Sequence, residues 1–151
     1  LVVSINASPS NIGKREQRHA LFAAASRRHK LPLVYVNQIG GHDQLVYDGA
    51  SFAVTPEAGV VFEAPRFVAA QVTLQWDGAA FRAGDGAALA PVMAAGLPVM
   101  EFYRRQIVLG LRDYARRFGI RQVVVGSSVG IDSALTLALA AEAREPEKVV
   151  A

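Results

Sequence analysis

The chain has 151 residues, 52% of them hydrophobic and 19% charged, with a net charge of +3 and no cysteine. That balance supplies apolar material for a folded core and excludes a disordered chain. No apolar run approaches ~18 residues, so no transmembrane helix is expected, and the first residues lack a basic segment with a cleavage site.

Residues 1–6 read as an apolar strand, expected to be buried. Residues 13–30 have helix composition, with Leu21, Ala24 and Ala25 on one face. A strand follows at 33–38, and 45–54 reads as two short strands around Asp48-Gly49, a hairpin turn signal. Strands at 60–62 and 68–76 complete a β-rich half. Residues 77–98, rich in Ala, Gly and Pro and without strong periodicity, read as a linker.

A helical pattern returns at Val99, with Phe102, Ile107, Leu109 and Leu111 among paired arginines. It leads into a strand at 121–125, a turn, a helix at 132–144 and a strand at 148–151. This is a βαβ unit, which implies a parallel sheet with a ligand at the carboxyl end of its first strand. The first and last residues fall inside expected strands, so the chain reads as an internal fragment of a longer protein.

Residues 1–30 carry six basic side chains and one acidic, 31–98 two and six, and 99–151 eight and six. Arg27-Arg28 and Arg116-Arg117 with Arg121 suit the carboxyl ends of helices, where cations complement the dipole. No interleaved aromatics accompany them, so neither a nucleic-acid nor a membrane partner is expected. His19, His29 and His42 lack metal-site spacing and are expected on helices or the surface. Trp76 and Tyr103 are expected to pack, and Asn37, Gln38 and Asp48 to make structural hydrogen bonds.

The segment Val123-Val-Val-Gly-Ser-Ser-Val-Gly-Ile-Asp-Ser133 carries the chemistry. A β-branched run breaks into small hydroxyl residues and then a helix, whose first-turn amides point at a bound anion. Counted from Gly126, Ile131 and Asp132 occupy the Gly and Lys positions of a Walker loop, and only two glycines are present, so neither that motif nor the dinucleotide fingerprint fits. A plain alternative is a turn in which Asp132 or Ser133 caps the helix.

Ser128-Val129-Gly130-Ile131-Asp132-Ser133 resembles the Ser-Gly-Gly-x-Asp-Ser loop of the ATP pyrophosphatase (PP-loop) superfamily, with Val129 in place of the first glycine. Flanked by Gly110-Leu-Arg-Asp-Tyr-Ala-Arg-Arg-Phe-Gly-Ile120 and Ala134-Leu-Thr-Leu-Ala-Leu-Ala, it is similar to the start of the synthetase domain of NAD synthetases. Ser4-Ile-Asn-Ala-Ser-Pro-Ser-Asn-Ile-Gly-Lys14 with Arg18, then Val34-Tyr-Val-Asn-Gln through Asp48-Gly-Ala-Ser-Phe52, resembles the carboxyl-terminal half of the nitrilase-like glutaminase domain of glutamine-dependent NAD synthetase.

The resemblance implies an α/β fold: residues 1–76 as part of a nitrilase-like α/β sandwich, 77–98 as linker, and 99–151 as the first βα units of a parallel-sheet PP-loop domain. It implies an amide ligase that converts deamido-NAD, ATP and glutamine to NAD, AMP, pyrophosphate and glutamate. Gly126, Ser127, Ser128, Val129, Gly130, Ile131, Asp132 and Ser133 would bind ATP, with Mg²⁺ on Asp132 and no organic prosthetic group. Ser8 and Lys14 would contact glutamine, although Ser8-Pro9 ending a strand and Lys14 as a solvated first-turn residue is the bland alternative. The cysteine nucleophile, glutamate base and catalytic lysine of such glutaminases are expected upstream, which makes this chain alone inactive as an amidase. A cytoplasmic homo-oligomer is expected. Two other readings are a non-catalytic remnant that only associates with partners, and a nitrilase-type amidase, which the ATP loop argues against.

Overall fold

The computed structural model describes residues 1–93 and 96–151; of the stretch expected as a linker, residues 94 and 95 lie outside the described residues. The chain divides into two units, residues 1–39 with 47–97 and residues 40–46 with 98–151.

The first unit is built on a mixed sheet of β1 (Val2–Asn6), β2 (Leu33–Asn37), β5 (Phe52–Thr55) and β6 (Gly59–Glu63), in the order β1-β2-β5-β6. β1 runs parallel to β2, with Val2 opposite Leu33 and Asn6 opposite Asn37. β5 is antiparallel to both β2 and β6, and a bulge falls between Ala53 and Val54. The helix α1 (Lys14–His29) makes the crossover between the parallel strands and presses Phe22 onto Tyr35 and Phe52, with ring centroids at 4.7 and 5.7 Å. Tyr35, Phe52 and Val54 form the buried centre, with Leu33 and Val60 packed against it.

Three expectations for this half are corrected. β1 is not buried: Val3 and Ile5 are 57% and 83% exposed, because the strand lies at the sheet edge and that face has no covering layer among the described residues. The inward face of α1 is not Leu21, Ala24 and Ala25 but Arg15, Arg18, Ala23 and Ser26, since acidic partners on the sheet side neutralise the two guanidinium groups. Asp48-Gly49 is not a hairpin turn. β4 (Leu45–Asp48) pairs with β3 (Ile39–His42), and Gly49 and Ala50, at φ +67° and +51°, swing the chain from that hairpin into β5 of the other sheet.

Of the strand expected at 68–76, only β7 (Leu74–Trp76) forms, and it pairs with β8 (Phe81–Ala83) inside the stretch expected as linker. Trp76 packs on Phe81 at 4.8 Å, the packing role expected of it.

The second unit holds the long helix α2 (Val99–Arg117), β9 (Val123–Val124), α3 (Ile131–Arg144), a short 3₁₀ turn and β10 (Val149–Val150). β9 and β10 pair in parallel, Val123 opposite Val149, so the expected βαβ unit forms. α2 and α3 pack together, and Arg112 donates towards the carbonyls of Glu142 and Ala143 at the end of α3. The hairpin tip docks on α2: the Gly41 amide donates to Oδ2 of buried Asp113 at 2.9 Å. No helix among the described residues is long and apolar enough to cross a membrane.

Candidate functional site

Two groups of residues carry recognisable chemistry, one in each unit. In the second, β9 delivers the chain to the loop 126–130, and α3 begins immediately after it. Gly130, extended at φ −86° and ψ 161°, is the cap residue of α3, and no side chain caps the helix. The capping role weighed for Asp132 or Ser133 is therefore not what forms. The Ala134 amide makes the first ladder bond, to Gly130 O at 3.1 Å, which leaves the Ile131, Asp132 and Ser133 amides without intrahelical acceptors. Those three N–H groups and the helix dipole make the loop mouth attractive to an anion.

The loop is closed on itself by Ser133. Its hydroxyl donates to Gly130 O at 2.9 Å and accepts from the Ser128 amide at 3.2 Å, with the Ser128 hydroxyl 3.4 Å away. Ser127, Ser128, Ile131 and Asp132 are exposed, and Val129 is 98% exposed. Val129 also adopts φ +64°, a left-handed conformation that is an outlier for a β-branched residue. This is the position at which the resembled loop carries glycine, which enters that region freely. Neither Gly126 nor Gly130 has positive φ.

Beside the loop lies a cavity of about 620 Å³. Ile107 and Leu111 of α2, Val123–Val125 and Leu139 form its apolar wall, and Gly126, Ser133 and Thr136 bring it to the loop. A predominantly apolar recess with a few polar groups at one end suits a planar base with an anionic tail. No cluster of three or more His, Cys, Asp or Glu side chains that could hold a metal occurs among the described residues. A Mg²⁺ held by Asp132 would therefore take its other ligands from phosphate oxygens and water, as this ion commonly does.

In the first unit, Ser8 follows β1 and Lys14 opens α1. Ser8 is tightly specified. Its amide donates to Asn37 Oδ1 at 2.9 Å, and its carbonyl accepts from Arg18 Nη2 at 2.8 Å and Asn37 Nδ2 at 3.2 Å. Arg18 Nε donates to the Ser8 hydroxyl at 3.2 Å, and Arg18 Nη2 also reaches Pro9 O at 2.9 Å. Behind this, Asp48, fully buried, accepts from Arg18 Nη1 at 2.9 Å and from Arg66 Nε and Nη2 at 3.1 and 2.9 Å. Asn37 and Asp48 thus have the structural role expected of them, and Gln38 pairs through its backbone with Asn6 O and the Gly49 amide.

Next to it, Arg15 forms a forked pair with Glu63 and donates to Met93 O, and His19 Nε2 lies 3.3 Å from Glu63 Oε1. Burial opposes ionisation of Glu63, but hydrogen bonds from His19 and Arg15, with the Arg15 charge, hold its carboxyl down at about 2.

Sequence reasoning quoted Arg18 in the resembled motif without giving it a role, and missed Arg66 and Asp113. For Arg18 the signal was its place in the resembled motif. None pointed to Asp113, whose partner is a backbone amide.

Residues 103–151 match the family model for NAD synthase. Over 99% of its length the chain is 36% identical to a glutamine-dependent NAD(+) synthetase of Synechocystis sp., covering 26% of that protein. It is 38% identical to the one of Acinetobacter baylyi, covering 99% of this chain and 27% of the relative. The structure of glutamine-dependent NAD+ synthetase from Acinetobacter baumannii in complex with adenosine diphosphate superposes with a TM-score of 0.80 at 32% identity, over 99% of this chain and 28% of that one. The chain thus spans about a quarter of the length of the curated relatives it matches.

Proposed function

We propose that this chain, which resembles glutamine-dependent NAD(+) synthetases along nearly its whole length, contributes the phosphate loop and part of the glutamine pocket to an ATP-dependent, glutamine-hydrolysing amide ligase. Residues 1–76 would belong to a nitrilase-like glutaminase domain and 99–151 to a PP-loop synthetase domain, with 77–98 between them. The reaction would join ammonia from glutamine to the nicotinate carboxylate of deamido-NAD, with ATP cleaved to AMP and pyrophosphate. A cytoplasmic homo-oligomer belongs to the same reading.

The observation that carries it is the parallel β9–α3–β10 unit, whose Ser- and Gly-rich loop opens on three amides without intrahelical acceptors. Residues 126–133 would hold the phosphates through these amides and the Ser128 hydroxyl, and Ser133 keeps the loop closed behind them. Asp132 brings a like charge to the phosphates, which a Mg²⁺ on its carboxylate would neutralise. In the first unit Lys14 would pair with the glutamine carboxylate and Ser8 would orient its polar end. The chain holds no cysteine, so a thiolate that attacks the glutamine amide has to come from outside these 151 residues.

Calorimetric titration with ATP and Mg²⁺, repeated with pyrophosphate present, tests the loop assignment. ATP binding that pyrophosphate displaces supports it. No ATP binding, or binding indifferent to pyrophosphate, overturns it.

A further inference from the structure

The first unit holds a recess of its own, of about 540 Å³. Lys30 and Pro32 line it just before β2 begins, whereas Ser8 follows the carboxyl end of the parallel strand β1, so the two lie towards opposite ends of the sheet. Three elements build the recess, and each is fixed by its own bonds. Lys30 ends α1 in the left-handed conformation with its amide on Ser26 O, and the Ser26 hydroxyl donates to Leu31 O at 2.6 Å. The turn between β5 and β6 is held by the Ala58 amide, which donates to Thr55 Oγ1 at 3.2 Å. In the turn between β7 and β8, Asp77 accepts from the Ala79 and Ala80 amides and from Arg82 Nε.

The lining combines two kinds of group. Trp76, packed on buried Phe81 at 4.8 Å, and the rings of Pro32 and Pro56 supply flat apolar surface. Lys30 and Glu57 are the only ionisable side chains that line the recess. Both are exposed, and neither has a hydrogen-bond or ion-pair partner for its charge among the described residues. A free cation and a free anion beside aromatic and proline surface complement a ligand that carries both charges next to a ring. We propose that this recess binds the zwitterion of an aromatic α-amino acid, with its carboxylate on Lys30, its ammonium on Glu57 and its ring against Trp76. The site uses none of the residues assigned to glutamine or ATP and does not depend on the amide-ligase reading.

Trp76 is the only tryptophan in the chain, so its fluorescence reports on this site alone. Titration of the full chain with L-phenylalanine is expected to give a saturable change in that emission. 2-Phenylethylamine, which lacks the carboxylate, and 3-phenylpropanoate, which lacks the ammonium, should each bind about threefold more weakly, since each loses one exposed charge pair. Absence of a saturable change up to the solubility limit of L-phenylalanine overturns the proposal. Binding of either analogue as tight as that of L-phenylalanine also overturns it, because one of the two charges is then not read.

Two variants assign the ends of the ligand. Lys30→Met should weaken L-phenylalanine about threefold and leave 2-phenylethylamine unchanged, whereas Glu57→Gln should weaken L-phenylalanine by a similar factor and leave 3-phenylpropanoate unchanged. Both side chains are exposed and neither charge is paired within the fold, so these substitutions report on recognition and not on stability. Raised salt should weaken L-phenylalanine binding to the unmodified chain more than to either variant. If Lys30→Met or Glu57→Gln leaves L-phenylalanine affinity unchanged, or lowers it by the same factor for the analogue that lacks the matching charge, the pairing is refuted.

Discussion

Arg18 Nη1 and Asp48 Oδ1 meet at 2.9 Å on a carboxylate with no solvent exposure, and the same carboxylate receives two further bonds from Arg66. One buried anion thus ties α1, β4 and the segment after β6 together. Desolvating these charges is costly, and the arrangement persists only because every lone pair in use has a donor.

Removing the anion should be more damaging than removing any single contact suggests. Asp48→Ala leaves the inward guanidinium of Arg18 without its carboxylate partner. The expected loss is about 3–5 kcal/mol of unfolding free energy, read from urea denaturation midpoints. Asp48→Asn keeps the volume and one acceptor oxygen, and should lose less. A change below about 1 kcal/mol in Asp48→Ala would show that the pair contributes little.

Val129 stands at φ +64° where glycine is unstrained. Such an outlier costs on the order of 1–3 kcal/mol, partly offset by the greater unfolded-state freedom of glycine. Val129→Gly should therefore raise stability by about 1 kcal/mol and tighten ATP binding severalfold, with both read by calorimetry. Val129→Ala separates strain from bulk, because it removes the methyl groups while retaining a Cβ. Unchanged ATP affinity in Val129→Gly refutes crowding of the anion by this side chain.

Glu63 predicts an acid transition. Its carboxyl lies at about 2 against an ordinary 4.5, so the ionised form is favoured by folding. The associated stability is fully present above about pH 4.5 and is lost as pH falls towards about 2, an effect of roughly 3 kcal/mol. Glu63→Gln should flatten that part of the stability curve while lowering stability at neutral pH. Parallel urea titrations across the acid range check this; curves of equal slope for the two proteins would contradict it.

Gly41 sits where the hairpin tip meets α2. A Cβ there would stand 2.9 Å from Gly110 Cα and 3.1 Å from Gly110 O, both backbone atoms that cannot rotate aside. Gly41→Ala should cost about 1–3 kcal/mol and lengthen the bond from its amide to Asp113. Hydrogen exchange at the residue 41 amide reports it directly: faster exchange is expected, and unchanged protection would mean that the tip accommodates the methyl.

The elements with a strong local signal were legible in the sequence. The helices of α1, α2 and α3 and the β9–α3–β10 order follow from periodicity and from punctuation by small residues, which act over a few residues and need no distant partner. The position of the loop at 126–130 between a strand and a helix was legible for the same reason, since small residues after a β-branched run mark a turn locally.

Tertiary structure decided what depends on long-range pairing. Whether Asp48-Gly49 closes a hairpin or passes between sheets turns on which strand offers a partner, and β5 finds β2 and β6 instead of β4. Whether an arginine on α1 faces water or the core turns on whether a carboxylate from another strand meets it there, as Asp48 and Glu63 do for Arg18 and Arg15. Local propensity is silent on both, because the energy of burying a charge or of pairing a strand belongs to the partner as much as to the residue. The sequence by itself therefore determined the helices and the place of the loop between β9 and α3. The fold alone decided the face that α1 buries, the path of the hairpin and the orientation of Ser8.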